Sequence, residues 1–189
     1  LALEEGQHVS PAALDGNDGR VLTVGTCSKS YAMTGWRVGW VVAPPAVAPA
    51  IALTVAAQVN NLPLFVQRAA EAALAGPPEC VREMAAAHRE RRDAAVEILR
   101  RRDLLEYVPA GAFYLLARVS GGDDVAFDGV TFAEALIRER RIAVGPGVAF
   151  GQSTAQYARI SLASDMESVR AGLAGLLDFA AIYHDRVGG

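Results

Sequence analysis

The chain has 189 residues, a net charge of −3 and a 52% apolar fraction, enough for one large domain or one small domain plus part of another. Charges of both signs are scattered along it, which leaves no electrostatic footprint for nucleic acid or an anionic membrane. Two cysteines, Cys27 and Cys80, make no disulfide framework, and a reducing cytoplasm suits them.

Residues 1–19 carry Gly6, Pro11, Gly16, Asn17 and Gly19 without sustained periodicity and read mostly as loop. No signal peptide is visible there, since two glutamates follow within five residues. Val21-Leu-Thr-Val-Gly-Thr26 is a β-branched, buried strand, and Arg37–Ala43 is a second. The short connection around Ser30–Trp36 predicts that the two are antiparallel neighbours, because a parallel pair needs a longer crossover. The uncharged run Val38–Arg68 is broken by Pro44, Pro45, Pro49 and Pro63, so no membrane span is expected. Pro45–Gln58 and Pro63–Ala75 read as helices.

A long amphipathic helix follows from Glu79 to about Arg102. Its predicted apolar stripe is Val81, Met84, His88, Ala95 and Leu99. His88 with Arg89, Arg91 and Arg92 reads as a solvated cluster without a site role. Beyond it come a strand at Ala112–Val119, a glycine- and aspartate-rich turn at Gly121–Gly129, a helix at Thr131–Arg141, a turn at Val144–Gly147 and a strand at Tyr157–Ala163. In that last strand Tyr157, Arg159 and Ser161 share one face. Asp165 or Ser164 caps a closing helix, Met166–His184. The expected class is α/β, with a boundary at Gly76–Glu79 separating residues 1–78 from residues 79–189. His8, His88, His184 and the carboxylates show no metal-ligand spacing.

The residues that carry chemistry lie at Thr26–Gly39. Of the 18 basic residues, 17 are arginines and the only lysine is Lys29. Arginine cannot do a lysine's covalent chemistry, so this one lysine stands out. Just past a buried strand, its ammonium is expected in low-dielectric surroundings, which favour the neutral amine that forms imines. Thr26 and Ser28 are two apart, so both hydroxyls face one way while the chain stays extended. If Arg37 opens the neighbouring antiparallel strand, lysine, two hydroxyls and a guanidinium converge, and hydroxyls plus guanidinium suit a phosphate. On composition alone, a surface turn with one exposed lysine is the commoner reading of such a quartet. Arg159, taken alone, is equally a strand arginine facing solvent. Cys27, Tyr31 and Trp36 read as packing residues.

Ser28-Lys-Ser-Tyr-Ala-Met-Thr-Gly-Trp-Arg-Val-Gly39 resembles, over a dozen contiguous positions, the lysine motif of the class I/II aminotransferases, the aspartate aminotransferase family of fold type I. Pro109-Ala-Gly-Ala-Phe-Tyr114, Val144-Gly-Pro-Gly-Val-Ala-Phe-Gly151 and Tyr157-Ala-Arg-Ile-Ser161 resemble later motifs of that family, in its order. The resemblance implies pyridoxal 5'-phosphate as cofactor. It makes Lys29 the imine-forming and proton-moving residue, places Thr26, Ser28 and Arg37 at the phosphate, and sets Arg159 at the substrate α-carboxylate. Thr26 stands where the family usually has serine, and Asn60 and Asn61 fall near a loop of its active site with a poor match.

The fold so implied is the end of the large-domain sheet (1–78) plus the small α/β C-terminal domain (79–189). The function implied is amino-group transfer from an L-amino acid to a 2-oxo acid, in a cytoplasmic homodimer. The family's Asp-x-x-Tyr pair, ring-stacking aromatic and glycine-containing phosphate cup match nothing here. They are expected upstream of Leu1, and the segment alone is expected to be inactive and prone to associate through open strand edges. Two alternatives remain open at this point. One is the aminotransferase-like ligand-sensing domain of a transcription regulator, and the other is a lyase or decarboxylase on the same fold.

Overall fold

The computed structural model describes residues 2–3, 8–14, 19–120 and 127–187, with side chains described to residue 183. Gly6, Gly16 and Asn17 of the expected N-terminal loop, most of the turn at 121–129, and the His184 side chain lie outside the described residues. The chain forms two compact units, Leu1–Ala85 and Ala86–Gly189.

In the first unit, Pro11–Ala13 forms a single 3₁₀ turn within the segment expected to be loop, capped by the Ser10 hydroxyl. Strands β1 (Thr23–Thr26) and β2 (Gly39–Val42) pair antiparallel as expected, with Thr23 opposite Val42 and Thr26 opposite Gly39. Both are shorter than the apolar runs suggest, since pairing begins at Thr23 and at Gly39, two residues into each run. Gly25 is required where it stands, since a Cβ there would lie 2.3 Å from the Trp40 indole on the facing strand. Helices α1 (Ala48–Val59) and α2 (Leu64–Ala75) follow. α1 starts three residues later than expected, because Pro44–Val47 is used for a turn in which the Val47 and Ala48 amides both bond the Pro44 carbonyl.

The core of this unit is small: Cys27, Val38, Val66 and Ala70, with Tyr31, Met33 and Leu62 against it. Cys27 and Tyr31 are packing residues, as expected. All four residues of β2 are exposed, as are Val24, Leu53, Leu64 and Phe65. A two-stranded ribbon has no second layer in which to bury its faces.

Helix α3 (Glu79–Arg100) begins where the sequence places it, and the boundary between the units falls inside it. The second unit is a three-stranded antiparallel sheet in the order β3 (Tyr114–Arg118), β5 (Tyr157–Ser161), β4 (Gly145–Pro146). Two further helices are α4 (Gly129–Arg140) and α5 (Met166–Val187). β4 is a two-residue strand within the expected Val144–Gly147 turn. It stops at Pro146, which has no amide hydrogen to extend a ladder.

Leu115 and Ala117 of β3 and Ala158 and Ile160 of β5 are buried on one face of this sheet. They join Ala95, Val96 and Leu99 of α3, Phe132 and Leu136 of α4, and Leu173, Leu176 and Phe179 of α5 in one core. The helices are capped by side chains: Asp128 accepts from the Val130 and Thr131 amides, and Asp165 accepts from the Ser168 amide. Of the two candidate caps for α5, Asp165 is therefore the one used.

The arginine cluster of α3 is not a solvated face throughout. Arg92 is 5% exposed. It donates to the Pro109 carbonyl at 3.1 Å and pairs with Asp93, tying α3 to the loop before β3. Arg91 donates to the Leu162 carbonyl. His88 is half-buried with its ring 5.9 Å from that of Phe113, and its buried Nδ1 has no partner among the described residues. Periodicity alone could not separate these arginines, because a guanidinium buries well once a carbonyl receives it.

Phe132 touches the rings of Phe127, Phe179 and Tyr183 at 5.1 to 5.6 Å, so it is the centre of the second unit's core. Phe132→Ala is expected to destabilise this unit by about 3–5 kcal/mol, read as a lowered urea midpoint. Burial, and then the Arg91 guanidinium, hold the His88 pKa below the ordinary 6.5, against the opposing hydrogen bond to Leu162. A histidine kept neutral in the folded chain protonates more readily when unfolded. The stability linked to it is therefore present above the ordinary value and lost as pH falls towards the depressed one. Thermal unfolding between about pH 7 and pH 5 should show a shallower acid loss for His88→Gln than for the parent chain.

Candidate active site

After β1 the chain leaves the sheet in a tight turn. The Cys27 amide bonds the Val38 carbonyl, and the Tyr31 and Met33 amides both return to the Cys27 carbonyl. Ala32 takes a left-handed conformation at φ 52°. A 3₁₀ turn at Thr34–Trp36 follows, and Arg37 closes it at φ 53°, ψ 45°. Arg37 is thus not the first residue of the next strand, as the sequence suggested. A non-glycine residue in this region costs roughly 1–2 kcal/mol. The cost is offset in part by its own guanidinium, which donates to the Thr34 carbonyl at 2.6 Å.

The Thr26 and Ser28 hydroxyl oxygens are 2.9 Å apart, so they do share one side. Thr26 Oγ1 also lies 3.0 Å from the Val38 carbonyl and accepts from the Ser28 amide. Its single hydrogen therefore serves one acceptor at a time, and the hydroxyl pair is fixed to both strands. Thr26, Ser28, Arg37 and Asn60 line one cleft of about 680 Å³, with Gly25 and Trp40 in its wall. Asn61 does not line it. Two hydroxyls and a guanidinium in a common cleft form a donor set that suits a phosphate group.

Lys29 follows Ser28 directly and is exposed, so the low-dielectric surroundings expected of it are not supplied by the described residues. Trp36 is 44% exposed and meets Phe65 edge-on, which is a looser packing role than the sequence suggested.

In the second unit, alternation along β5 buries Ala158 and Ile160 and turns Tyr157 and Arg159 to the other face. Arg159 is opposite Leu116 on one side and Gly145 on the other. Its guanidinium carbon lies 4.3 Å from the centre of the Tyr114 ring and 4.4 Å from that of Phe150. Two aromatic rings thus hold the guanidinium in the place of a carboxylate partner. Gly145 packs closely beside it, since a Cβ there would stand 3.3 Å from Arg159 Nε. That nitrogen is buried and has no acceptor among the described residues.

Phe150 is brought to the arginine by the 3₁₀ turn Gly147–Phe150, which is anchored by the Thr154 hydroxyl on the Gly147 carbonyl. Tyr114 and Phe150 both lie inside motifs the sequence singles out, but nothing in their spacing assigned them to Arg159. Nearby, the Tyr157 hydroxyl bonds the Glu106 carboxylate, which, with partial burial, raises its pKa above the ordinary tyrosine value. Arg118 reaches Glu106 at 3.5 Å and Gln156 at 2.9 Å. Among the described residues no group of histidines, cysteines and carboxylates is arranged to hold a metal ion, and no helix is long and apolar enough to cross a membrane.

Residues 2–176 match the family model described as aminotransferase class I and II. The chain is 36% identical over 169 residues to an arginine–pyruvate transaminase of Pseudomonas aeruginosa, covering 89% of this chain and 42% of that protein. It is also 36% identical over 177 residues to an aspartate aminotransferase of Musicola paradisiaca, covering 93% and 44%. Its backbone is similar to that of an aromatic aminotransferase from Pyrococcus horikoshii, with a TM-score of 0.85, 32% identity and coverage of 98% and 48%. The chain therefore spans less than half the length of these relatives, and its α/β structure is a fragment of their fold. With its lysine turn, its hydroxyl–guanidinium cleft and its strand arginine all inside the matched residues, the chain belongs to the class I and II aminotransferase family.

Proposed function

We propose that this chain carries the lysine-bearing and carboxylate-gripping parts of a pyridoxal-phosphate-dependent aminotransferase, which moves an amino group from an L-amino acid to a 2-oxo acid. On this reading residues 1–78 end the large cofactor-binding domain and residues 79–189 form the small C-terminal domain of a cytoplasmic homodimer. The observation that carries it is the cleft in which the Thr26 and Ser28 hydroxyls and Arg37 lie together, one residue from the only lysine. The family is generally pyridoxal-phosphate dependent, and these donors fit the cofactor's phosphate.

When bound, the cofactor supplies an electron sink for the pair left at Cα once its proton departs. The chain's own residues do the rest. Thr26 and Ser28 donate hydroxyl hydrogen bonds and Arg37 supplies positive charge, which together orient the phosphate. Lys29 Nζ is the amine that holds the cofactor covalently. Freed from that bond, Lys29 Nζ would be the base that takes the proton from the substrate Cα and the acid that later gives it back. Arg159 grips the α-carboxylate. Tyr114 and Phe150 hold the guanidinium without cancelling its charge, and a planar guanidinium pairs bidentately with a carboxylate.

The test is reductive labelling of the 189-residue chain with pyridoxal phosphate and borohydride. Label is expected on Lys29 rather than on the terminal amine, with saturation and with competition by inorganic phosphate. Arg37→Ala is expected to weaken this capture about tenfold to a hundredfold, the worth of one charge-assisted contact of roughly 1.5–3 kcal/mol. Equal labelling by pyridoxal without its phosphate would show that Lys29 reacts merely as an exposed amine, and the phosphate assignment would be wrong.

A further inference from the structure

The Tyr114 ring that meets Arg159 is itself supported from the part of helix α3 that belongs to the second unit. Phe113 stands outside the regular strand, so its ring and that of Tyr114 are not sent to opposite faces and meet at 4.3 Å. The His88 imidazole lies 5.9 Å from the Phe113 ring and donates to the Leu162 carbonyl, which Arg91 also reaches. Leu162 is three residues past Arg159. Its amide bonds the Phe113 carbonyl at 2.8 Å, one step beyond the last strand pair, Tyr114 with Ser161. His88 therefore touches both segments where the β3–β5 ladder ends, the one that leads into Tyr114 and the one that has just left Arg159. We propose that His88 is a positioning residue for Arg159, its neutral imidazole holding the ladder end and Tyr114 in the arrangement that receives a carboxylate. The inference rests on Arg159 gripping the α-carboxylate.

The neutral form is required by what surrounds the ring. On α3, Arg89 follows it directly, Arg91 shares the Leu162 carbonyl, and Arg92 is occupied by the Pro109 carbonyl and Asp93. On the strand side Phe113 is uncharged, and the next titratable group along the chain is the Tyr114 phenol. Beyond Leu162 the next charged residue is Asp165, whose carboxylate is occupied by the Ser168 amide and hydroxyl. An imidazolium here loses hydration and meets a like charge at Arg91, against one hydrogen bond to Leu162 that favours it. Burial and Arg91 prevail, and the pKa lies below the ordinary 6.5. Acid therefore drives this half-buried ring towards solvent and removes the surface against which Phe113 rests. Tyr114 then loses its support, and the guanidinium loses one of its two rings.

The sign of the pH effect separates this role from plain attraction between charges. A carboxylate that merely felt the histidine's charge would favour imidazolium, so acid would strengthen its binding. Positioning by the neutral ring predicts the reverse: acid weakens binding, and by linkage a bound carboxylate lowers the His88 pKa further. The experiment titrates propanoate into the 189-residue chain between about pH 8 and pH 5.5, with affinity expressed per propanoate anion. The His88 and Tyr114 ring signals are followed by NMR and identified with His88→Gln and Tyr114→Phe. Saturation with propanoate should move the His88 midpoint down, each unit matching an about tenfold loss of affinity on the acid side. In the ligand-free chain the Tyr114 signals should titrate together with those of His88. His88→Gln, whose amide can still reach Leu162 but cannot titrate, should bind propanoate equally at both ends of the range.

A His88 midpoint that propanoate raises or leaves unmoved overturns the inference, as does acid-weakened binding that persists in His88→Gln. If Arg159→Gln abolishes the binding in those cases, the carboxylate role of Arg159 stands without its histidine. Binding that Arg159→Gln leaves undiminished, or no binding to the parent chain at any pH, overturns that carboxylate role and the inference with it.

Discussion

The second unit depends on one constraint, that a strand has only two faces and one of them must be dry. Leu115, Ala117, Ala158 and Ile160 occupy the dry face of the β3–β5 pair under three helices. The period of two then leaves no choice for the residues between them. Tyr114, Leu116, Tyr157 and Arg159 must look the other way, and register places Arg159 directly between Leu116 and Gly145. A slip of one residue would drive the guanidinium into the aliphatic core, where an unpaired charge costs many kcal/mol. The position of the candidate substrate arginine is thus held by the same burial that holds the fold together.

The first unit is organised differently. Its buried group is small, and much of its order comes from hydrogen bonds that return the chain to Cys27 and Val38. Thr26 is the meeting point, with its hydroxyl in contact with the backbone of the opposite strand and with Ser28. Two strained residues, Ala32 and Arg37, flank this turn. Left-handed non-glycine conformations persist only where surrounding contacts impose them, and they gather at sites whose geometry matters.

Much of this was legible in the residues themselves. The antiparallel pairing of β1 and β2 followed from a connection too short for anything else, and the amphipathic run from Glu79 gave α3 to within two residues. The shared side of Thr26 and Ser28 followed from strand geometry, and the same period put Arg159 opposite the buried face. Other features were not legible, for physical reasons. Arg37 was taken as a strand residue because a left-handed cap carries no side-chain signal when glycine does not mark it. Arg92 was placed in solvent because the carbonyl that receives it belongs to a loop 17 residues away. The exposure of Lys29 could not be read from the apolar run before it, because that run, expected to be buried, leaves Leu22 and Val24 exposed on a ribbon without a second layer. The rings around Arg159 come from segments 45 and 9 residues distant, so only the folded sheet reveals their contact.

An arginine held in place by aromatic rings differs in one respect from an arginine held by an acid: its charge is not cancelled. Arg159 has no ion pair among the described residues, and it lines a cavity of the second unit together with Tyr114 and Phe150, in a chain whose net charge is −3. Low-dielectric walls concentrate the field of such a charge towards the opening. The uncancelled guanidinium is thus a local source of positive potential on a chain whose net charge is negative. The rate at which anions arrive there, as distinct from how tightly they are held, falls as ionic strength shortens the reach of that field.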